Sequence, residues 1–183
     1  MLRVVGVLLT VAFPIFTGCE ILQPSVQVLP PHIRKLAVGL FANRTAVAGL
    51  EDRLRLETFN EFVRDGRFAV VSSPDDADGY VTGEILYYIL QPTQYGPAND
   101  PQQFKLRLIM NLYFVDRVNN VTLWQERNLE EVLFFTAATL PGGRSEEDAR
   151  NAALSNLARK IYVRTIDGFG SVTGTSEKKV PQH

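Results

Sequence analysis

Cys19 is the residue of this chain best suited to covalent chemistry, and it is the only cysteine in the sequence. A lone cysteine cannot form an internal disulfide, and a free thiol is a liability in an exported protein. Both problems disappear if the sulfur is consumed in a thioether to diacylglycerol. Thr17 and Gly18 are small and leave room for a protease to approach the backbone just before Cys19. The pattern therefore predicts cleavage after Gly18 and lipidation of Cys19.

The segment that precedes Cys19 has the layout of a secretion signal. Residues 1–18 carry one cation, Arg3, followed by an apolar run from Val4 to Phe16 that contains no charge and only one polar residue, Thr10. Such a run is too short to cross the hydrocarbon of a bilayer, which needs about 20 residues. The alternatives are a short membrane anchor or a buried element of the fold, but Pro14 argues against a buried helix. We therefore predict a signal peptide at residues 1–18.

The residues around the predicted cleavage site resemble the lipobox of bacterial lipoproteins. In Phe16-Thr17-Gly18-Cys19, the phenylalanine replaces the usual leucine three places before the cysteine. The resemblance implies a diacylglycerol on the sulfur and an additional N-acyl chain such as palmitate. Each methylene buried in the bilayer contributes about 0.8 kcal/mol to the free energy of membrane binding. Several acyl chains therefore anchor a protein that one chain would hold only weakly. Residues 19–31 contain three prolines and no regular period, so we predict a lipidated tether there.

The other residues that could carry chemistry form no catalytic or metal-binding pattern. His32 lies beside two prolines and His183 is the last residue, so neither suggests a catalytic base or a metal ligand. The acidic cluster at residues 75–78 fails as a calcium loop, because Pro74 and Ile85 occupy positions that require carboxylates. No nucleophile-and-base pair, phosphate loop or dinucleotide motif occurs in the sequence. We therefore expect no enzymatic activity, no metal and no cofactor.

Composition and charge exclude one class of partner. The sequence is 45% hydrophobic and 21% charged, which is ordinary for a globular domain. Its formal net charge is −1, from 19 basic and 20 acidic residues. Removal of residues 1–18 takes away Arg3 and no acid, which leaves 18 against 20, or −2. Because nucleic-acid backbones require a basic excess, we expect no nucleic-acid partner.

The strands of the mature domain, which we predict at residues 32–167, follow from their hydrophobic patterns. The predicted strands cover residues 33–41, 67–72, 79–91, 103–117 and a stretch that begins at Val121. The first is rich in aliphatic residues and is expected to be central. In the third, alternation predicts that Val81, Ile85, Tyr87 and Ile89 share one side of the sheet.

Two helices complete the predicted domain. Residues 49–64 have acids in the first turn and are followed by Gly66, which predicts a helix that ends there. The expected apolar face of this helix consists of Leu56, Phe59, Phe62 and Val63, and Leu50 and Leu54 fall on another flank. A second helix is predicted from Ser145, whose spacing to Asp148 resembles a capping box, to about Ile166.

The order of elements is therefore β-α-β-β-β-β-α. This order predicts an α+β fold, in which two helices pack on one face of a largely antiparallel sheet of four to five strands. Residues 168–183 are small and polar, and we predict a disordered tail there. The opposite face of the sheet carries Lys105, Arg107 and Asn111 and is expected to stay solvated or to meet a partner.

The mature domain resembles the lipopolysaccharide-assembly lipoprotein family LptE. Its opening strand leads into Phe41-Ala42-Asn43-Arg44-Thr45, similar to the family's phenylalanine-asparagine-x-threonine turn with one residue inserted. The resemblance continues through residues 49–71, most specifically in Gly49-Leu50-Glu51, Asn60-Glu61-Phe62 and Arg64-Asp65-Gly66-Arg67. Ala77-Asp78, Gly83-Glu84 and Leu123-Trp124 fit as well.

The resemblance implies a non-enzymatic role at the outer membrane. Members of the family plug the lumen of the β-barrel LptD, help that barrel to assemble, and help to deliver lipopolysaccharide to the cell surface. They are linked to lipopolysaccharide binding through basic residues, for which Lys105 and Arg107 are our candidates; a solvated sheet face is the alternative. A different tethered periplasmic module, such as a secretin pilot or a ligand-binding lipoprotein, remains the second functional hypothesis.

Overall fold

The computed structural model describes residues 29–167 and 176–178, which form one sheet backed by two helices. The strands are β1 (Lys35–Asn43), β2 (Ala69–Val71), β3 (Gly79–Tyr95), β4 (Pro101–Asp116), β5 (Val121–Thr136) and β6 (Ser176–Lys178). The helices are α1 (Leu50–Asp65) and α2 (Glu146–Asp167), and a short 3-10 turn covers Pro74–Asp76. The predicted signal peptide, Cys19 and most of the predicted tether and tail lie outside the described residues.

The strands are ordered β2-β1-β3-β4-β5-β6 across the sheet. β1 lies inside the sheet and pairs in parallel with both β2 and β3, whereas β3, β4, β5 and β6 pair antiparallel. The predicted α+β class and the order β-α-β-β-β-β-α are therefore confirmed. β6 is an additional short strand that the sequence patterns did not predict, and it pairs with the residues around Gln125.

Both helices cover the same face of the sheet, which creates the core between them. On β4 every second residue is fully buried on this side, as the alternating pattern predicted. These buried residues are Leu106, Leu108, Met110, Leu112 and Phe114. α2 presents the apolar stripe of Leu154, Leu157 and Ile161 to the same core, and Phe62 of α1 meets Tyr162 of α2 edge-on.

The buried face of α1 differs from the predicted one. The buried residues are Leu50, Leu54, Thr58 and Phe62, which follow one another at intervals of four. Leu56 and Val63 are each 52% exposed. Phe62 is buried as predicted, but the prediction was wrong for Leu56 and Val63, because the buried stripe runs through the polar residue Thr58. The hydroxyl of Thr58 donates to the carbonyl of Leu54 at 2.7 Å, which satisfies it inside the core.

A β-bulge in β3 changes which residues face the helices. Ile85 pairs with Met110 and Tyr87 pairs with Ile109, so Leu86 is one residue extra. Before the bulge Val81 and Ile85 are buried, as predicted, but beyond it Tyr87 is 56% exposed. Tyr88 takes the helix side instead and donates its hydroxyl to the carboxylate of Glu146 on α2 at 2.8 Å. The prediction for Tyr87 and Ile89 was wrong because a one-residue insertion moves every later side chain to the other face of the sheet.

The ends of α2 and α1 follow the sequence signals. Ser145 Oγ accepts the backbone N–H of Asp148 at 3.0 Å and donates to the carboxylate of Asp148 at 2.7 Å. Gly66 ends α1 in the left-handed region, with φ at 72°, and its N–H bonds to the carbonyl of Phe62. Among residues 29–167 and 176–178, neither helix combines the length and apolarity needed to span a bilayer.

Candidate interaction face of the sheet

The sheet face away from the helices carries a group of side chains that we call the open-face patch. Its rows follow from strand register, since paired residues project from the same face: Tyr87 pairs with Ile109 and Ile89 with Arg107. On the other side of β4, Glu130, Val132 and Phe134 of β5 pair with Ile109, Arg107 and Lys105 in turn. The patch comprises Tyr87, Ile89, Lys105, Arg107, Ile109, Glu130, Val132 and Phe134.

Two aromatic rings dominate the exposed area of the open-face patch. Phe134 is 65% exposed and Tyr87 is 56% exposed. The two rings lie on the strands that flank β4, and Ile109 and Arg107 of β4 lie between them. Large apolar side chains left in water beside charged ones are typical of surfaces that bind a partner.

The two predicted cations, Lys105 and Arg107, both lie in the open-face patch but in different environments. Arg107 Nε is 2.5 Å from Glu130 Oε1, and both side chains are about one-third exposed. Lys105 Nζ lies 5.7 Å from the ring centroid of Phe134, a cation–π contact. Within the described residues no carboxylate approaches the ammonium of Lys105 within 4.0 Å. Of these two cations, Lys105 is therefore the one whose charge is available to bind an anion.

The open face becomes polar next to the patch. Glu84 of β3 accepts hydrogen bonds from Asn111 at 3.2 Å and from Arg44 at 3.3 Å. Asn111 in turn accepts the backbone N–H of Asn128 at 3.1 Å, where β5 bulges with a positive φ. The polar side chains of this network hydrogen-bond to one another. The open-face patch is therefore bordered on this side by polar residues that need no further partner.

His32 connects the segment before β1 to the turn between β4 and β5. Its Nε2 lies 2.8 Å from Asp116 Oδ2, and Asn119 donates to the same carboxylate through its backbone and side-chain N–H groups. Asp116 is 1% exposed. Burial alone would raise the pKa of Asp116, but the hydrogen bonds from Asn119 and His32 outweigh it and lower the pKa. We call these three residues the entry clamp.

The entry clamp and the open-face patch lie toward opposite ends of the long strands. The clamp holds the turn between β4 and β5, whereas Lys105 lies eleven positions earlier on β4. At about 3.3 Å per residue, this separation is roughly 36 Å along the strand. The chain therefore enters the domain at one end, and the patch lies toward the other.

The turn after β1 that resembles the family motif has a structural role. Asn43 Oδ1 accepts both the backbone N–H and the hydroxyl of Thr45, at 2.9 and 2.8 Å. Its Nδ2 donates to the carbonyl of Val47 and to the carboxylate of Glu51 in the first turn of α1. The side chain of Asn43 therefore closes the turn and connects it to the helix that follows.

The second family-like segment joins the two helices. Arg67 Nε bonds to the carboxylate of Asp65, and its NH2 group donates to the hydroxyl of Tyr162 at 2.7 Å. Burial opposes ionisation of Asp65, but its hydrogen bonds to Arg67 and Tyr162 lower its pKa.

Gly83, another residue that fits the family pattern, is required for close packing, because a Cβ there would lie 2.2 Å from the carbonyl oxygen of Asn111.

Sequence reasoning identified the two cations of the open-face patch and placed Ile109 beside them, but it missed the other four apolar members. Tyr87 and Ile89 were assigned to the opposite side because of the bulge, and no face was assigned to Val132 or Phe134. The pairing of β5 with an alternating β4 was the available signal for the last two. Among residues 29–167 and 176–178, no group of three or more His, Cys, Asp or Glu side chains could hold a metal ion.

Three solved structures show distant likenesses to this chain. The PelC dodecamer from Paraburkholderia phytofirmans matches with a TM-score of 0.48 and 14% identity, over 77% of this chain and 94% of that one. Lipoprotein GNA1162 from Neisseria meningitidis matches with a TM-score of 0.42 and 10% identity, over 70% and 97%. The rare lipoprotein B from Shewanella oneidensis matches with a TM-score of 0.40 and 9% identity, over 70% and 90%. Likenesses this weak support no argument about function.

Sequence comparison gives the family directly. No curated protein matches the chain. The family model of LptE, described as lipopolysaccharide-assembly, matches residues 33–165, which is well over half of the chain. This match confirms the resemblance carried by the Asn43 turn and the Asp65–Arg67 segment. The chain belongs to the LptE family of lipopolysaccharide-assembly proteins.

Proposed function

We propose that this protein is an outer-membrane lipoprotein that plugs the LptD β-barrel, assists its assembly and takes part in delivering lipopolysaccharide to the cell surface. Membership of the LptE family is the observation that carries the proposal. The signal-like leader and the single Cys19 after Thr-Gly support a lipid anchor on the same chain. In this role the protein binds and orients its partners and makes or breaks no covalent bond.

The open-face patch is our candidate for the contact with the barrel. The lumen of an outer-membrane barrel is polar and hydrated, so a plug needs charged groups as well as apolar anchors. Exposed aromatic residues such as Phe134 and Tyr87 are the type that contributes most to the affinity of an interface. The Arg107–Glu130 pair adds polar groups that are already satisfied and need no partner to compensate them.

Lys105 is our candidate for the contact with lipopolysaccharide. The lipid A and core regions of that glycolipid carry phosphate groups, and an ammonium without a nearby carboxylate can pair with one of them. Arg107 suits this role less well, because Glu130 already holds its guanidinium. We therefore assign anion contact to Lys105 and scaffold support to Arg107.

A lipid anchor would keep the domain close to its barrel. Leu29 is packed into the core, so residues 19–28 of the predicted tether can span at most about 36 Å when fully extended, at 3.3–3.6 Å per residue. A linker of that reach raises the local concentration of the domain at the membrane, which strengthens a weak contact without adding new ones. The entry clamp then directs the patch away from the point of attachment, toward the interior of the partner.

The proposal is tested by recovering the lipidated full-length chain from a Gram-negative host and identifying what accompanies it. We expect an LptD barrel in a stoichiometric complex. Simultaneous Tyr87→Ala and Phe134→Ala substitutions should reduce the recovered barrel at least tenfold. Val163→Ala, an exposed apolar residue on α2, is the matched control and should leave recovery unchanged. Recovery of a secretin ring, or of no barrel at all, would contradict the proposal.

A further inference from the structure

β3 continues well beyond the strand that pairs with it on one side. β1 ends at Asn43, and the last hydrogen bond from its side joins the Arg44 N–H to the Ile85 carbonyl at 2.9 Å. β3 continues to Tyr95, and past Ile85 its only strand partner among the described residues is β4. Within the part of the chain that the structure describes, this stretch of β3 therefore has one edge without a strand partner, which we call the free edge.

The chain leaves this edge because its own side chains turn it away. Asn43 closes the turn at Thr45 and Val47, and Arg44 pairs with Glu84 of β3 at 3.3 Å. These contacts direct the backbone toward α1 instead of further along β3. The position beside β3 that a longer β1 would fill is therefore left open at Tyr87, where the open-face patch begins.

Alternation decides which backbone groups face the free edge. The carbonyl of Ile85 points toward β1, and the bulge adds Leu86 as one extra residue facing β4. The N–H and C=O groups of Tyr88 and Leu90 therefore point away from β4, as does the nitrogen of Pro92. Proline is tolerated in a sheet where its missing N–H faces an edge, so its presence at this position fits the assignment.

Only part of the free edge is suited to pairing. Proteins protect exposed edges with prolines and irregularities, and here Pro92 and two register shifts between Pro92 and Tyr95 protect the distal part. Residues 87–91 carry no proline, no lysine and no charged side chain. At about 3.3 Å per residue they span roughly 17 Å, the length of a typical strand.

We propose that the free edge of β3 at residues 87–91 receives one extended strand of the partner barrel polypeptide. The inference rests on the proposed function, which supplies the partner. The chemistry of the edge requires a polypeptide, because alternating N–H and C=O groups at Tyr88 and Leu90 are matched by another backbone and not by a glycolipid. The added strand would lie directly beside Tyr87 and Ile89, so its side chains would extend the open-face patch.

A pair of substitutions at Leu90 separates the backbone contribution from the side-chain contribution. Leu90→Ala and Leu90→Pro both remove the side chain, but only proline also removes the N–H that faces the edge. With the LptD barrel of the host as the probe, Leu90→Pro should lower its recovery at least tenfold relative to Leu90→Ala. Equal recovery with the two variants, both shown to be folded by circular dichroism, would overturn the inference.

Amide hydrogen exchange on the unsubstituted full chain provides a test that does not depend on a variant that folds. In the complex with the barrel, the amides of Tyr88 and Leu90 should exchange at least tenfold more slowly than in the free protein. The amides of Ile89 and Gln91 face β4 and should change little. Unchanged exchange at Tyr88 and Leu90 in a recovered complex overturns the strand addition alone. Failure to recover any barrel overturns the proposed function and this inference with it.

Discussion

The two faces of β4 share one backbone but differ in what determines their side chains. On the helix side, Leu106, Leu108 and Met110 are fully buried, and packing against α1 and α2 accounts for them. On the open side, Lys105, Arg107 and Ile109 are only half-buried, and no described element covers them. Packing requires the first set and does not require the second. The composition of the open face therefore needs another explanation, and the proposed contact with the barrel would supply one.

The largest expected effect distinguishes the two faces by stability. Leu108→Ala creates a cavity in the core and should lower the free energy of unfolding by about 2–5 kcal/mol. Ile109→Ala, its neighbour on the open side, should cost about 1 kcal/mol, since little of its packing is lost. Urea unfolding of both variants measures the difference. Equal losses would mean that the open face is packed as tightly as the covered one.

The entry clamp should contribute a stability that depends on pH. The folded-state pKa of Asp116 is lowered, so its contribution is present above its unfolded value near 3.9 and is lost as the pH falls through the folded pKa. We expect Asp116→Asn to cost about 1.5–3 kcal/mol at neutral pH, because hydrogen bonds to a charged group are lost. Urea unfolding of variant and parent should converge in acid. A difference that stays constant with pH would contradict the assigned role.

Phe134→Ala should show the reverse of a core substitution. We expect the free energy of unfolding to change by less than about 0.5 kcal/mol, because the ring is largely exposed. Binding to the barrel should weaken by about 2 kcal/mol, the usual loss for an aromatic anchor. Val118→Ala, equally exposed but at the opposite end of the sheet, is the control. A loss of stability without a loss of binding would assign Phe134 to the fold.

The smallest expected effect compares the two cations of the patch. Lys105→Gln should weaken binding to lipopolysaccharide about threefold at low salt and less at high salt, as screening of an exposed charge predicts. Arg107→Gln should have a smaller effect, because Glu130 already neutralises the guanidinium. Fluorescence titration with purified lipopolysaccharide measures both. The assignment fails if Arg107→Gln has the larger effect.

Much of the fold could be predicted because its signals are local. The alternation of β4, the acidic first turns of both helices and the Ser145 cap all depend on residues a few positions apart. The α1 face was predicted only in part, since Phe62 is buried as expected but Leu56 and Val63 are exposed. The buried stripe includes Thr58, whose role as a core residue depends on its neighbours in space. β6 was not predicted because three residues carry too little pattern to identify a strand.

The candidate site was harder to predict than the fold. Lys105 and Arg107 could be proposed from β4 alone, but their different environments depend on Glu130 and Phe134 of another strand. The partners were separated by more than twenty positions in the chain, so no local pattern indicated them. The free edge of β3 likewise depends on where β1 ends and on a bulge that sequence alternation did not reveal.

The extra residue at Leu86 affects how relatives of this protein are compared. If a relative lacks this extra residue, an alignment that places the gap after β3 instead of at Leu86 would exchange core columns and solvent-facing columns between Leu86 and the end of the strand. Tyr87 of one sequence would then be matched with the equivalent of Tyr88 in another, and an exposed residue of the open-face patch would be counted as a packing residue. Equivalent positions on this surface should therefore be assigned outward from β4, beginning at Ile109 and crossing to its paired neighbours.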